Sequence, residues 1–231
     1  PGVSLTRWGL ALALLTALLL PLNLLTSQPF HQDEALYATW ALPIASGSNP
    51  WLTAVPIDKP PLFLYTIAAS MWLLGPTLTA ARLPSLIATV IAVGLTFRLG
   101  QTLYNDAIGL IAAWLVALSP LSLMLAPTAL TDPLLVALVL AACLAAAQGR
   151  AIWAGVWLGL ALATKQQGLF FIPLALGLFW IRCYAASGNQ TAPHPSIRSR
   201  YSGCWGALMR SRYSGCWGLL NIETNSTNTA F

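Results

Sequence analysis

The chain has 231 residues, of which 57% are hydrophobic and only 7% charged, with a mean hydropathy of +0.71. That balance excludes an ordinary soluble domain, in which charged residues make up roughly a quarter of the total. The net charge of +5 is no nucleic-acid footprint: five of the eleven basic residues, Arg182, Arg198, Arg200, Arg210 and Arg212, lie at or beyond the end of the last apolar run, and the others stand singly between apolar runs, as a topology signal does.

The first apolar run, Trp8 to about Thr26, follows Arg7. Its length matches the roughly 20 residues that cross a bilayer, and it lacks a small-residue cleavage pattern, so it reads as a retained span rather than a signal peptide. Later runs cover about Leu83 to Leu99, Ala107 to Ala126, Pro133 to Ala147, Ala151 to Thr164 and Gly168 to Ile181, each bounded by a charge, a proline or a glycine. The expected fold is all-α: a polytopic transmembrane helix bundle of about six spans, since helices satisfy their own backbone groups in lipid and no alternating strand pattern suggests a barrel. If basic residues mark the cytoplasmic side, Arg7, Arg98, Arg150 and Arg182 all fall inside. The thirteen-residue apolar stretch Leu62 to Leu74 must then lie at the interface rather than cross. The loop from Ser27 to Arg82 becomes a large outer loop carrying interfacial helices, facing the same compartment as Asp132. Lys165 is the one exception to the positive-inside pattern, which makes it a functional candidate.

The outer loop opens with FHQDEALYATW, where spacings of three and four place Asp33, Glu34 and Tyr37 on one side of a short helix. The same acids also suit the first turn of a helix capped by Ser27 and begun near Pro29. His31 reads as a solvated loop residue. In IDKPPLFLY, Asp58 and Lys59 precede two prolines that stop any helix; the lysine suits a lipid phosphate, or else snorkels to head groups. Arg82, in ARLPSL, either binds an anionic group or anchors the start of a span. In ALTDPLL, Asp132 and Pro133 have the pattern of an N-cap followed by proline, and Asp132 is also placed to face a site. Lys165 lies in GLALATKQQGLFFIPL, between two short apolar runs. Cys143, Cys183, Cys204 and Cys216 form no CxxC pair and have no histidine cluster beside them, so neither a metal site nor a disulfide framework is indicated.

After Tyr184 the sequence turns polar and Ser-rich, and RSRYSGCWGALM is followed at once by RSRYSGCWGLLN. A near-duplicate occurring twice is too short for a repeat array, so residues 185–231 read as an atypical tail outside the fold of residues 1–184.

Taken in order, DEALYA, DKPPLFLY, ARLPS, LSPLSLMLAPTALTDPLL and GLALATKQQGLFFIPL resemble the N-terminal half of the membrane glycosyltransferase family that contains protein O-mannosyltransferases and lipid A aminoarabinose transferases. The resemblance runs from about Trp8 to Trp180. It implies an integral, multi-pass protein of the plasma or inner membrane that passes a sugar from a polyprenyl or dolichyl phosphate carrier to a protein or lipid acceptor on the non-cytoplasmic face. It implies that Asp33 is the catalytic acid or base with Glu34 beside it, that Asp132 lines the same cavity, and that the Asp58 and Lys59 stretch handles the lipid phosphate; Tyr37, Arg82 and Lys165 complete the expected substrate-binding set. No cofactor is required by these motifs, and a divalent cation is left open. The sequence departs from the family at Ala35 and Leu36, where many relatives carry an arginine, and about six spans are fewer than the family's usual number, so the expectation is a fragment of the transferase domain. A lipid-linked sugar transporter and a nonenzymatic membrane remnant are the competing readings; charges at span ends rather than at the bilayer midplane favour the transferase.

Overall fold

A computed structural model of the chain describes residues 2–27, 29–53 and 57–188, with side chains from Leu5 to Tyr184. The near-duplicate and the rest of the tail expected at residues 189–231 lie outside the described residues. Among the described residues, those up to Trp180 form one compact unit and those from Ile181 to Gly188 fall outside it.

Every regular element among the described residues is helical. Helix α1 (Gly2–Leu19) ends in a turn at Pro21 and is followed by the short α2 (Leu24–Ser27). Helix α3 (Gln32–Ala45) does not start from Ser27, as the sequence suggested. His31 is its N-cap, and Glu34, at the third helical position, accepts the His31 backbone N–H at 2.9 Å. This is one half of a capping box, and it fixes the start of α3 three residues later than expected.

Helix α4 (Leu62–Leu74) begins just after Pro60 and Pro61 and stops at Gly75, whose φ of +82° suits glycine rather than a residue with a Cβ. The long α5 (Leu78–Leu103) starts five residues before Leu83 because the Thr77 hydroxyl accepts the Ala80 N–H at 3.2 Å and caps it there. Pro84 is accommodated near the helix start, so Arg82 sits inside the second turn of α5 rather than at the head of a span.

The run expected to cross from Ala107 to Ala126 is broken. Asn105 caps α6 (Asp106–Ala117) by accepting the Ile108 N–H, and Pro120, which has no N–H, begins a separate short α7 (Pro120–Leu125). Two further apolar helices follow, α8 (Asp132–Ala147) and α9 (Ala151–Thr164). A 3-10 turn at Gln166–Phe171 then leads into α10 (Ile172–Gly188).

Helix α5 is the central element, packed against α1, α4, α6 and α8, while α8 also packs on α9. The crossing of α5 and α6 is close: a Cβ at Gly109 would lie 2.6 Å from the Phe97 carbonyl oxygen, so only glycine allows this approach. Packing of Gly9 on Leu110 puts the Arg7 end of α1 beside the start of α6. The other end of this segment reaches Leu83 and Leu86 near the start of α5 through Leu18 and Leu25. Arg7, Arg98 and Arg150 are thereby at the opposite end of the bundle from Asp132 and Lys165.

Outward faces are apolar: Trp8, Leu115, Trp153 and Phe170 are all more than half exposed, a surface that suits lipid rather than water. Three stretches are long and apolar enough to cross a bilayer, Leu5–Ser27, Leu78–Leu103 and Gln166–Tyr184, whereas α4, α6, α8 and α9 are shorter. This is a helical membrane protein. Three of the six expected crossings reach full length, because Pro120 and the turn at Gly149 and Arg150 divide the apolar sequence into shorter helices.

Candidate functional site

The start of α3, the loop before α4, the start of α8 and the end of α9 bring charged groups together around Tyr37. The Tyr37 ring is buried on α3, edge-on to Phe63 of α4 with ring centroids 5.9 Å apart and tilted against Trp40. Burial pushes its phenol above the ordinary tyrosine value; the charge of Lys59 pulls it down, and Asp33, Asp132 and Asp58 push it further up. Four charged side chains from three separate segments are thus within electrostatic reach of one phenol. This juxtaposition brings together Asp33, Tyr37, Asp58, Lys59 and Asp132 of the expected set.

Each charged group has a distinct setting. Asp33 is exposed at the first turn of α3, where the helix dipole favours a carboxylate. Lys59 is 3.1 Å from Asp58 in an exposed pair, and the Asp58 hydrogen bond and charge raise the Lys59 ammonium above its ordinary value, with Tyr37 and Asp33 adding to the effect. Asp132 is not the N-cap expected from its sequence position. Thr131 holds that place, and Asp132 Oδ1 accepts a hydrogen bond from Lys165 Nζ at 2.7 Å instead. Lys165, which follows the last residue of α9, is therefore joined to the same cluster; the two partners are 30% and 38% exposed, open enough to exchange partners.

Glu34, expected to share one side of α3 with both Asp33 and Tyr37, is buried with Tyr37 and away from Asp33, and Arg82, read as binding an anion or anchoring a span, is buried against it. Both are 2% exposed. On α3 the buried side carries Glu34 and Tyr37, and Asp33, about 100° further round the helix, is on the exposed flank, so the three do not share a single face. Arg82 donates through Nε to Glu34 Oε1 at 3.0 Å and through Nη2 to Oε2 at 2.9 Å, and two further N–H groups reach the carbonyls of Leu25 at 2.8 Å and Pro29 at 3.1 Å. The Phe30 ring lies 5.3 Å from the guanidinium carbon. Glu34 also accepts the Ala129 backbone N–H at 2.7 Å. Burial alone would raise the Glu34 carboxyl, but Arg82 and the His31 and Ala129 N–H groups outweigh it and hold the carboxyl below the ordinary glutamate value. The backbone partners Ala129, Leu25 and Pro29 have no side-chain signature, so no residue type in the sequence marks them.

The turn between α7 and α8 is fixed from a second side by the Ser85 hydroxyl, which donates to the Leu130 carbonyl at 3.0 Å. Among the described residues, no group of three or more His, Cys, Asp and Glu side chains converges as a metal-ligand set. The cluster offers an exposed carboxylate able to take a proton, and two ammonium groups able to bind an anion, beside an aromatic floor.

The sequence profile of the dolichyl-phosphate-mannose-protein mannosyltransferase family matches residues 58–194. No curated protein and no solved structure matches the chain.

Proposed function

This chain belongs to the dolichyl-phosphate-mannose-protein mannosyltransferase family, and from that premise we propose that it takes part in moving a sugar from a polyprenyl-phosphate carrier to a protein or lipid hydroxyl on the non-cytoplasmic face. The observation that carries this reading is the gathering of Asp33, Lys59 and Asp132 around Tyr37 at one end of the bundle. Lipid-linked donors present a phosphate at the membrane surface, and the cluster sits where helices end rather than at mid-helix.

In the proposed step, the acceptor oxygen attacks the anomeric carbon while the bond from that carbon to the phosphate oxygen breaks, its electron pair leaving with the lipid phosphate. Asp33 takes the proton of the acceptor hydroxyl. Lys59 and Lys165 stabilise the departing phosphate, and the carboxylates favour the positive charge that develops on the sugar. Both lysines start paired with aspartates, Asp58 and Asp132, so an incoming phosphate exchanges one anion for another instead of meeting a bare charge. Tyr37 forms the floor against which the sugar rests. Arg7, Arg98 and Arg150 at the opposite end support a multi-pass arrangement with that end cytoplasmic.

The test is transfer of labelled sugar from a polyprenyl-phosphate donor in membranes carrying the chain, compared with Asp33→Asn and Lys59→Ala. Asp33→Asn is expected to lower turnover by about 10²–10⁴-fold, and Lys59→Ala to weaken donor use most at low ionic strength. Equal turnover in all three removes the site assignment. Movement of the lipid between leaflets with no new glycoside replaces the transferase with a transporter.

A further inference from the structure

Glu34 is one residue from Asp33 in sequence, and its partner Ala129 is three residues from Asp132. One buried carboxylate therefore touches both segments that present the exposed acids. Its two oxygens accept four hydrogen bonds: from Arg82 Nε and the Ala129 N–H on Oε1, and from Arg82 Nη2 and the His31 N–H on Oε2. A saturated, ionised carboxylate of this kind has no proton to give and no free lone pair to take one.

The two segments also share an apolar core, since Ala129 belongs to the same buried cluster as Tyr37, Ala38, Trp40 and Ala41 of α3, but apolar packing is non-directional and the directional tie between them runs through Glu34. The start of α3 hangs on the chain leaving α2, and the turn from Ala126 to Thr131 has no helix of its own. Arg82 belongs to α5, the central helix, and its planar guanidinium accepts only one orientation of a carboxylate when both N–H groups engage it. Resting on the transfer reading given above, we propose that Glu34 and Arg82 are positioning residues that fix the separation of the Asp33 and Asp132 carboxylates across the donor site. The rigid helix holds the guanidinium, which holds the carboxylate, which holds the start of α3 through His31 and the turn before α8 through Ala129. A misplacement of about 1 Å between reacting groups costs on the order of 10²-fold in rate, so a tie of this sort acts on turnover without touching substrate.

The experiment uses the full chain in nanodiscs, with its four cysteines replaced and spin labels placed at the exposed positions Ala35, on α3, and Met124, on α7 just before the turn. Glu34→Gln and Arg82→Lys are compared with the parent. In both variants the label-to-label distance distribution is expected to broaden. Turnover of the donor is expected to fall about 10²-fold with KM changed by less than about twofold, and the pH–rate profile to keep the parent's limbs. Arg82→Lys, which retains the charge, carries the test if Glu34→Gln does not fold. An unchanged distance distribution overturns the proposal, as does loss of a pH limb in Glu34→Gln, which makes Glu34 a proton carrier in its own right. If the parent transfers no sugar, the transfer reading falls, and the distance measurement alone still decides whether this pair sets the spacing.

Discussion

Replacing Arg82 by methionine keeps much of the side chain's apolar length and removes its charge. The substitution deletes two charged hydrogen bonds to Glu34 and one each to the Leu25 and Pro29 carbonyls. The larger consequence is that Glu34, 2% exposed, is left with only the His31 and Ala129 N–H groups against its charge. Breaking a buried pair by removing one partner costs about 3–5 kcal/mol. Glu34→Leu is expected to cost a similar amount, because the guanidinium is then buried without an anion. The double variant removes both charges; what remains is the loss of the acceptor for the His31 and Ala129 N–H groups and of the donor to the Leu25 and Pro29 carbonyls, at about 1–3 kcal/mol for each group left unsatisfied, and each of these losses is already carried by one of the single variants. Its total should therefore fall short of the sum of the two single losses by several kcal/mol. The assay is unfolding in mixed micelles by titrated denaturing detergent, followed by the fluorescence of the chain's ten tryptophans. Losses that add to within about 0.5 kcal/mol would refute the coupling, since that is how independent sites behave.

Acid should expose the same pair. The folded Glu34 carboxyl is held below its ordinary value, so its stabilising contribution is complete above the unfolded pKa of about 4.3 and disappears as pH falls through the folded pKa; melting temperature of the wild type should drop over that acidic range, while Glu34→Gln starts lower at neutral pH and shows a shallower decline. Gly109→Val should cost about 1–3 kcal/mol by overpacking, because its Cβ would meet the Phe97 carbonyl oxygen at 2.6 Å, whereas Gly155→Ala, with nothing within 4 Å, should leave the melting temperature unchanged or raise it. Lys165→Met breaks a partly exposed pair and should change stability by less than about 1 kcal/mol; the kcat/KM for the lipid-phosphate donor is expected to fall by tenfold or more on the order of one charged contact, and equal values for variant and parent would remove Lys165 from the site.

Much of the fold was legible because lipid imposes a simple rule: runs of apolar residues bounded by proline, glycine or charge become helices. Where the helices depart from the apolar pattern, single capping groups and contacts distant in sequence decide. Thr77 carries a hydroxyl that starts α5 early, and no apolar periodicity marks it. The apolar run through Pro120 looked long enough to span, but the missing N–H divides it. For the site, residue types and order point to Asp33, Glu34, Tyr37, Asp58, Lys59, Arg82, Asp132 and Lys165; the charges of Asp33, Asp58, Lys59 and Asp132 lie within electrostatic reach of Tyr37 and Lys165 bonds Asp132, while Glu34 and Arg82 pair with each other. The pairing of Glu34 with Arg82 is not written in the local sequence. Their pairing spans 48 residues, and the Glu34 contact with Ala129 spans 95, so no local spacing rule reaches either. The Lys165 and Asp132 bond, across 33 residues, is equally invisible to local pattern and was anticipated only as a shared compartment.

Two adjacent acids on one helix end in opposite environments, and the reason is elementary geometry. A step of one residue turns the side chain by about 100°, so if Glu34 faces the core with Tyr37, Asp33 must emerge on the flank. The core position demands a full set of donors, because an unpaired charge there is too costly to keep, and Arg82 with three backbone segments around it supplies partners for both members. The flank position demands none, and Asp33 is exposed there. The same division separates the cations: Arg82, a rigid fork with partners all round, is inside, whereas Lys59 and Lys165, flexible and each paired with an aspartate, are at the surface. On the transfer reading we propose, a fixed inner pair and an exchangeable outer set, joined through neighbouring residues of one helix turn, would give the site both a constant spacing and charges free to change partners when an anionic donor arrives.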